Sequence, residues 1–232
     1  MSEDDELAAA RLALRAKLVA SVGEGAIARF DEALTHPSFA NETALPDNQR
    51  LEFLGDAVLG LCVSELLSST HPEANEGQLT RMRSALVNAE ALAAWARRSG
   101  VGAALSLGRG ARAGSERDQT NVLADATEAL VAAVYEERGL EAARAFVREV
   151  VSESMSDAET LGMLDPKSAL QEAVQARGMV TPAYRVASSR GPQHDQVFEV
   201  EVLVGDVVLG RGEGRSKRHA ERAAASDALA KL

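Results

Sequence analysis

The stretch that decides the fold covers residues 48–60 and reads NQRLEFLGDAVLG. Its apolar pattern continues to Leu67, which predicts one long helix. In a helix, Glu52 and Asp56 lie one turn apart on the same face, and Gln49 shares that face. The helix therefore presents two acids and an amide along one side.

Two features of this helix are unfavourable. Glu52 and Asp56 repel each other at this spacing, and they lie among Leu, Phe, Val and Cys rather than on a polar surface. Gly55 and Gly60 each cost a helix interior about 1 kcal/mol relative to Ala. The stretch is either a solvated acidic stripe on an amphipathic helix or part of a site that needs these residues. One acid pair does not decide between the two.

Length and composition limit the class of protein. A chain of 232 residues allows one or two domains, and 46% hydrophobic with 26% charged residues is typical of a soluble globular protein. No run reaches the roughly 18 apolar residues of a membrane span, and the acidic N-terminus is unlike a secretory signal. Cys62 is the one cysteine, which excludes a disulfide framework. We expect a cytoplasmic protein with no membrane partner.

The net charge of −10 is unevenly distributed. Residues 166–232 carry 10 Lys and Arg against 8 Asp and Glu, whereas residues 1–165 carry 15 against 27. This asymmetry predicts an acidic module joined to a mildly basic one. A negative total therefore does not exclude a nucleic-acid partner, since local patches govern such binding.

The N-terminal module, residues 1–151, shows helical periodicity and no convincing alternating strand, so we predict an all-α domain. The glycine-rich segment 107–118 lacks the Gly-Lys-Ser/Thr ending of a phosphate loop and is interpreted as a mobile connector. Besides the helix that begins near residue 48, helices are predicted over residues 7–33, 79–99, 121–138 and 140–151.

Residues 152–164 are rich in Ser, Glu and Asp and are predicted to form a linker. Residues 165–232 then show an α-β-β-β-α pattern, which predicts a small α+β domain. The second strand, 197–204, alternates apolar and polar residues, and Gly205-Asp206 forms a two-residue hairpin turn to a third strand, 207–209. The predicted first strand is 184–188, and the flanking helices are 167–177 and a C-terminal helix after Ser216.

A second acid pair lies in the helix after residue 120. Asp125 and Glu128 are spaced i, i+3 within an apolar run, so they share a face as Glu52 and Asp56 do. If the two helices pack together, four carboxylates converge and must either take up protons or bind a cation. Oxygen ligands favour Mg²⁺ or Mn²⁺, and such ions are typical of phosphoester hydrolysis. The alternative is two solvated faces.

The C-terminal module offers three candidate contact regions. Lys217 and Arg218 lie in the first turn of the last helix, where cations oppose the helix dipole unless an anion binds there. Gln171 and Gln175 share a face of the first helix, and His194 lies in a loop between two strands. Each could be ordinary surface, but together they suit double-stranded RNA, whose minor groove offers 2′-hydroxyls and phosphates. Three further arginines add to the expected basic patch: Arg211, Arg215 and Arg222.

These motifs resemble the ribonuclease III family, and the order of elements after residue 165 resembles a double-stranded-RNA-binding domain. The resemblance covers nearly the whole chain and implies an all-α endonuclease domain followed by the small α+β domain. It rests on residues 48–60 and on three further stretches: LTHPSF at 34–39, NEGQLTRMRS at 75–84 and LADATEAL at 123–130.

The resemblance implies roles for single residues. Glu52, Asp125 and Glu128 would hold Mg²⁺, with Mn²⁺ as a substitute, and no organic cofactor is expected. Asp56 and Glu128 would be catalytic. Two residues are expected near the site: Gln49, where many bacterial members have Glu, and Glu76.

The resemblance also implies a homodimer that cleaves double-stranded RNA to 5′-phosphate and 3′-hydroxyl products with short 3′ overhangs. Its substrates would be precursors of ribosomal RNA, some messenger RNAs and transfer RNA. Two other classes remain open on the residues alone. One is a regulator that binds duplex RNA without cutting it, and the other is an all-α metal enzyme that acts on nucleotides.

Overall fold

The computed structural model describes residues 2–158, 166–192 and 196–232. The chain divides into two compact units, Met1–Gly162 and Met163–Leu232, and each has its own apolar core. Within the described ranges, no helix combines the length and the apolar character needed to cross a membrane.

The first unit is helical, as predicted. Among its described residues, β-pairing is limited to one isolated parallel bridge between Thr35 and Ser106. Its helices are α1 Glu3–Val22, α2 Phe30–Ala33, α3 Pro37–Thr43, α4 Gln49–Thr70, α5 Glu76–Leu86, α6 Ala89–Ser99, α7 Val101–Ala104, α8 Arg109–Ala113 and α9 Thr120–Val151, with a 3₁₀ turn at Glu116–Asp118.

Helices α4 and α9 form the centre of this unit and pack against each other more extensively than any other pair of described elements. Both bury a continuous apolar face, since α4 buries Leu51, Leu59 and Val63, and α9 is buried along most of its first half. Gly139 interrupts α9 with φ 76° and ψ −177°, which confirms the predicted break between two helical segments. The two long helices carry the acid pairs.

The predicted helix over residues 7–33 was wrong at its C-terminal part. α1 ends at Val22, and the chain turns through Gly23 (φ 85°) and Gly25 (φ 141°) before α2 begins at Phe30. Positive φ is accessible to glycine at little cost and stops an α-helix. The apolar residues beyond the turn belong to a separate short helix.

Two other predictions needed correction. The helix predicted over 79–99 is two helices, because the Asn88 side chain accepts the Ala91 N–H (2.9 Å) and caps α6. The segment 107–118, interpreted as a mobile connector, contains α8 and the 3₁₀ turn. It is held to α3 by a hydrogen bond from the Gly108 N–H to Ser38 Oγ (3.0 Å).

The second unit has the predicted α-β-β-β-α order. Its three strands form an antiparallel sheet in the order β1-β2-β3, and the first and third are longer than predicted. Val200, Val202 and Val204 point from β2 into the core beneath the two helices, as their alternation predicted. The elements are α10 Pro166–Ala176, β1 Ala183–Arg190, β2 Val197–Val204, β3 Val207–Gly214 and α11 Lys217–Leu229.

Helix α11 lies directly on β3, and glycine makes this possible. A Cβ at Gly214 would lie 2.6 Å from the backbone nitrogen of Ala220, and a Cβ at Gly210 or Gly212 would overlap the α11 backbone at Ala224. The three glycines alternate along one face of the strand, opposite an alanine stripe of α11. Small residues on both elements therefore set the helix–sheet distance.

The predicted linker lies only partly within the described residues. Residues 155–158 form a helical turn, and Ala158 is buried in the core of the first unit. Residues 159–164 lie outside the described ranges, so the linker 152–164 and the domain limits 1–151 and 165–232 stay predictions.

Candidate metal centre and RNA-binding surface

Helices α4 and α9 bring three carboxylates together. One oxygen each from Glu52, Asp125 and Glu128 can be chosen so that all lie within 4.8 Å of one another. Oxygens that bind opposite sides of Mg²⁺ are about 4.2 Å apart, so small side-chain rotations would suit this group to one ion. The donors are all oxygen atoms, which hard divalent cations prefer.

Gly55 explains how the two helices come so close. A Cβ at this position would overlap the backbone carbonyl of Glu128, so any other residue would force α4 and α9 apart. The unfavourable glycine in α4 thus places Glu52 beside the α9 acids. Gly60 differs, because a Cβ there would meet nothing within 4 Å, and the structure does not explain its presence.

The carboxylates are held in a setting that disfavours their charge. Burial raises the pKa of Glu128 to about 8, and the charges of Asp56, Asp125 and Glu52 act in the same direction. Burial also raises the pKa of Glu52, with Asp125 as the next cause. It raises the pKa of Asp125 too, although the electrostatic effect of His36 opposes that rise. A bound cation would relieve both the burial and the repulsion.

Asp56 and Gln49 lie at the exposed margin of this group. Asp56 is solvent-exposed and is not one of the three converging carboxylates, but its charge acts on both Glu52 and Glu128. Gln49 is the exposed first residue of α4, and its backbone N–H donates to Asp47 Oδ1 (3.1 Å). Asp47, in the loop before α4, also raises the pKa of Glu52, and no sequence signal singled it out.

Glu76 lies elsewhere in the first unit. It is the first residue of α5 and accepts a hydrogen bond from the Thr80 hydroxyl (3.2 Å). It lines a surface pocket together with Ser64 of α4, which is about 18 Å along the helix axis from Glu52. The fold of the described chain therefore does not bring Glu76 to the three carboxylates.

The predicted RNA-binding residues of the second unit are exposed where they are described. Gln171 and Gln175 lie on the outer face of α10. Lys217 and Arg218 lie in the first turn of α11, which Ser216 caps by accepting the His219 N–H (3.2 Å). His194 falls outside the described residues.

The cations of this unit differ in how they are paired. Arg211 was expected to add to the basic patch, but its guanidinium lies 2.9 Å from the carboxylate of Glu201. Glu201 is buried and also pairs with Arg185 (2.6 Å), so one carboxylate serves both guanidinium groups and offsets only part of their charge. Neither Lys217 nor Arg218 forms an ion pair within the described ranges, although Lys217 Nζ lies 6.0 Å from the centre of the Phe198 ring.

Fold and site together define a class: a helical unit with clustered acids, followed by an α-β-β-β-α unit with an exposed cationic helix end. A family profile described as ribonuclease-III-like matches residues 28–155, and one described as double-stranded RNA binding motif matches residues 166–232.

Known proteins show the same likeness. The chain is 48% identical over 198 residues to ribonuclease 3 of Thermobifida fusca, covering 84% of this chain and 82% of that protein. It is 45% identical over 205 residues to ribonuclease 3 of Mycolicibacterium smegmatis, covering 86% and 89%. A solved nuclease domain of ribonuclease III from Campylobacter jejuni is 32% identical with a TM-score of 0.54, covering 59% of this chain and 95% of that chain. That nuclease domain shows structural flexibility in a region involved in dimer formation.

The chain therefore belongs to the ribonuclease III family, which confirms the resemblance seen in the motifs. It combines an endoribonuclease unit with a double-stranded-RNA-binding unit.

Proposed function

We propose that this chain is a Mg²⁺-dependent endoribonuclease that cleaves double-stranded RNA to 5′-phosphate and 3′-hydroxyl products with short 3′ overhangs. The observation that carries the proposal is the convergence of Glu52, Asp125 and Glu128 in a partly buried group. Three acids that repel one another are tolerated in such a place when a cation binds them.

Each acid has a distinct part in this proposal. Glu52, Asp125 and Glu128 would hold the ion, for which Mn²⁺ could substitute. When bound, Mg²⁺ would stabilise the negative charge that develops on the phosphate. Asp56 is catalytic in the proposal because its exposed carboxylate lies at the margin of the group, where substrate and attacking water have access. Gln49 is proposed near the site without a ligand's charge, whereas Glu76 lies remote from the three carboxylates within one chain.

The same proposal includes a homodimer. Phe53 of α4 is 83% exposed and Leu61 is 47% exposed, and with the exposed Ala57 they share one helix face next to Glu52. Large apolar side chains rarely form such an exposed stripe unless another protein surface covers it. Two subunits would place two sites on one duplex, one for each strand. Phe53→Ser should lower the molar mass in solution towards that of one chain, as measured by sedimentation.

The second unit would hold the duplex. Gln171, Gln175 and His194 are proposed to reach 2′-hydroxyls, and Lys217 and Arg218 to contact phosphates. The exposure of the four described residues supports this assignment. The support for ribosomal, messenger and transfer RNA precursors as substrates, and for work in the cytoplasm, is the family resemblance.

The test uses the full chain and a perfect RNA duplex with Mg²⁺, Ca²⁺ or EDTA, followed on a denaturing gel. Short fragments should form with Mg²⁺ and not with EDTA. Glu128→Gln should abolish cleavage and keep duplex binding. Glu137→Gln, an exposed acid about 14 Å further along α9, serves as the matched control and should cut normally.

Binding without cleavage in every metal condition would favour a regulator that binds duplex RNA without cutting it, and Gln49 would be the first residue to suspect. Loss of both binding and cleavage in Glu128→Gln would contradict the division of labour between the two units.

A further inference from the structure

Lys167, in the first turn of α10, contacts two other elements of the second unit. Its Nζ lies 2.5 Å from Oε2 of Glu221 on α11 and 4.3 Å from the centre of the Tyr184 ring on β1. The side chains of Lys167 and Glu221 are only 35% and 28% exposed, so solvent screens this ion pair less than it screens a fully exposed one. Lys167 therefore joins the start of α10 to α11 and β1.

Glu221 has two other cations within reach on its own helix. It lies four residues after Lys217 and three after Arg218, and side chains at these spacings are neighbours, with about 5–6 Å between their Cβ atoms. A carboxylate at this position would ordinarily pair with one of them. In the described part of the second unit it pairs with Lys167 instead.

The ammonium of Lys217 is consequently left with its full charge. Its Nζ lies 6.0 Å from the centre of the Phe198 ring on β2, near the limit of a cation–π contact, and a neutral ring does not cancel a positive charge. Lys217 is also exposed at the N-terminal end of α11, where free backbone N–H groups favour an anion. This end of α11 can bind a phosphate because its nearest acid is engaged elsewhere.

We propose that Lys167 is a positioning residue for duplex binding: by pairing with Glu221 it holds that carboxylate away from Lys217 and leaves the Lys217 ammonium free for an RNA phosphate. The inference rests on the proposed function, which assigns the phosphate contact to Lys217. Lys167 itself need not touch the RNA.

Lys167→Met tests the proposal, because methionine keeps an apolar stem beside Tyr184 and removes the charge. The readout is the affinity of the full-length protein for a labelled perfect RNA duplex, measured by fluorescence anisotropy in EDTA over a range of salt concentrations. We expect binding about fivefold weaker at roughly 0.15 M salt and a salt slope smaller by about 0.9, the contribution of one phosphate contact.

Two double variants of equal net charge separate this route from the alternatives. Lys167→Met with Glu221→Gln should bind within about twofold of the unmodified protein, since no carboxylate remains to pair with Lys217. Lys167→Met with Asp227→Asn should stay about fivefold weaker, because Asp227 lies near the other end of α11 and pairs with Lys231.

Equal recovery in both double variants would mean that net charge alone governs binding, and it would overturn the proposal. Recovery in neither would mean that Lys167 contacts the RNA directly or only holds the helices in place, and it would overturn the proposal as well. A purely structural ion pair cannot give recovery with Glu221→Gln, because that double variant lacks the pair too.

Lys217→Ala distinguishes failure of this inference from failure of the proposed function. If Lys217→Ala leaves duplex affinity unchanged, the phosphate contact is rejected, and the role of Lys167 with it. If Lys217→Ala weakens binding while Lys167→Met does not, only the role of Lys167 is rejected.

Discussion

The acid site of the first unit and the cationic helix end of the second are built in opposite ways. Glu128 and its neighbours are partly buried and repel one another, whereas Lys217 and Arg218 are exposed and unpaired within the described residues. The acid site forms only where two helices pack closely, whereas the cationic helix end is exposed and needs no packing partner for its side chains. A substitution at the first should therefore change stability and activity together, while one at the second should change binding alone.

In both units, nevertheless, a glycine allows two elements to pack closely. Gly55 lets α9 approach α4, and Gly212 lets α11 approach β3. In the first unit the close approach positions functional groups. In the second it brings apolar surfaces together, and the functional residues lie on faces turned away from the contact.

The largest effect is expected from Gly55→Ala. The added methyl group would overlap the backbone of Glu128, which cannot move aside as a side chain could, so we expect about 3 kcal/mol of destabilisation and loss of cleavage. Gly60→Ala lies in the same helix with open space around it, and it should stabilise the protein by up to about 1 kcal/mol. Urea unfolding and a duplex cleavage assay measure both. Equal stability of the two variants would show that Gly55 does not set the helix separation.

Gly212→Ala should act on the second unit. Its Cβ would overlap the α11 backbone at Ala224, and we expect a loss of about 2 kcal/mol there. Amide hydrogen exchange should become faster along β3 and α11 while α9 keeps its protection. Val207→Ala, on the same strand but 64% exposed, is the control and should leave exchange unchanged. Faster exchange in α9 as well would mean that the two units do not unfold independently.

The next largest effect is a pH dependence of stability, caused by proton binding at the acid site. The pKa of Glu128 is raised from 4.5 to about 8, so the folded chain binds more protons than the unfolded chain between these values. Without divalent ions, the contribution of Glu128 to the free energy of unfolding should be greatest below about pH 4.5. This contribution should be lost as the pH rises through 8. We expect a loss of roughly 1–3 kcal/mol, since solvent screens a partly exposed carboxyl.

Glu128→Gln should flatten this pH dependence, and thermal unfolding in EDTA between pH 5 and 8.5 would show it. A saturating divalent ion should also reverse the trend in the unmodified protein, because the ion competes with protons and binds better at higher pH. Glu137→Gln should retain the full slope. An equally steep slope in Glu128→Gln would place the proton uptake on another group.

The convergence of three of the four acids could be predicted because its signals were local, while their role in metal binding and catalysis stays a prediction. Each acid pair, Glu52 with Asp56 and Asp125 with Glu128, shares one face of an apolar helix. Repulsion between the two acids costs free energy there, and the cost would be small on a solvated surface. The partner of Gly55 could not be predicted, since it lies more than 70 positions away. The remote place of Glu76 is likewise set by tertiary packing.

The errors in the fold have physical reasons of the same kind. Helical periodicity continued across Gly23 and across Asn88, and only the backbone turn and the side-chain cap show that helices end there. β3 was predicted too short because Gly210 and Gly212 lower strand propensity. Their alternation on one face was the missed signal, since it matched the four-residue spacing of alanines in α11.

The smallest effect on stability, and the clearest separation from the acid site, is expected for Lys217→Ala combined with Arg218→Ala. Both side chains are exposed, so the free energy of unfolding should change by less than about 0.5 kcal/mol. Duplex affinity should fall at each salt concentration, and the slope of log K against log salt should decrease by roughly one for each lost phosphate contact.

Lys231→Ala removes a charge from the opposite end of α11, where Asp227 pairs with it at 2.5 Å, and serves as the control. It should leave the salt slope unchanged. A loss of binding free energy in Lys231→Ala about half that of the double variant, which removes twice the charge, would mean that total charge governs binding. A loss confined to Lys217 and Arg218 would mean that phosphate binds at the N-terminal end of α11, where backbone N–H groups and the helix dipole favour an anion.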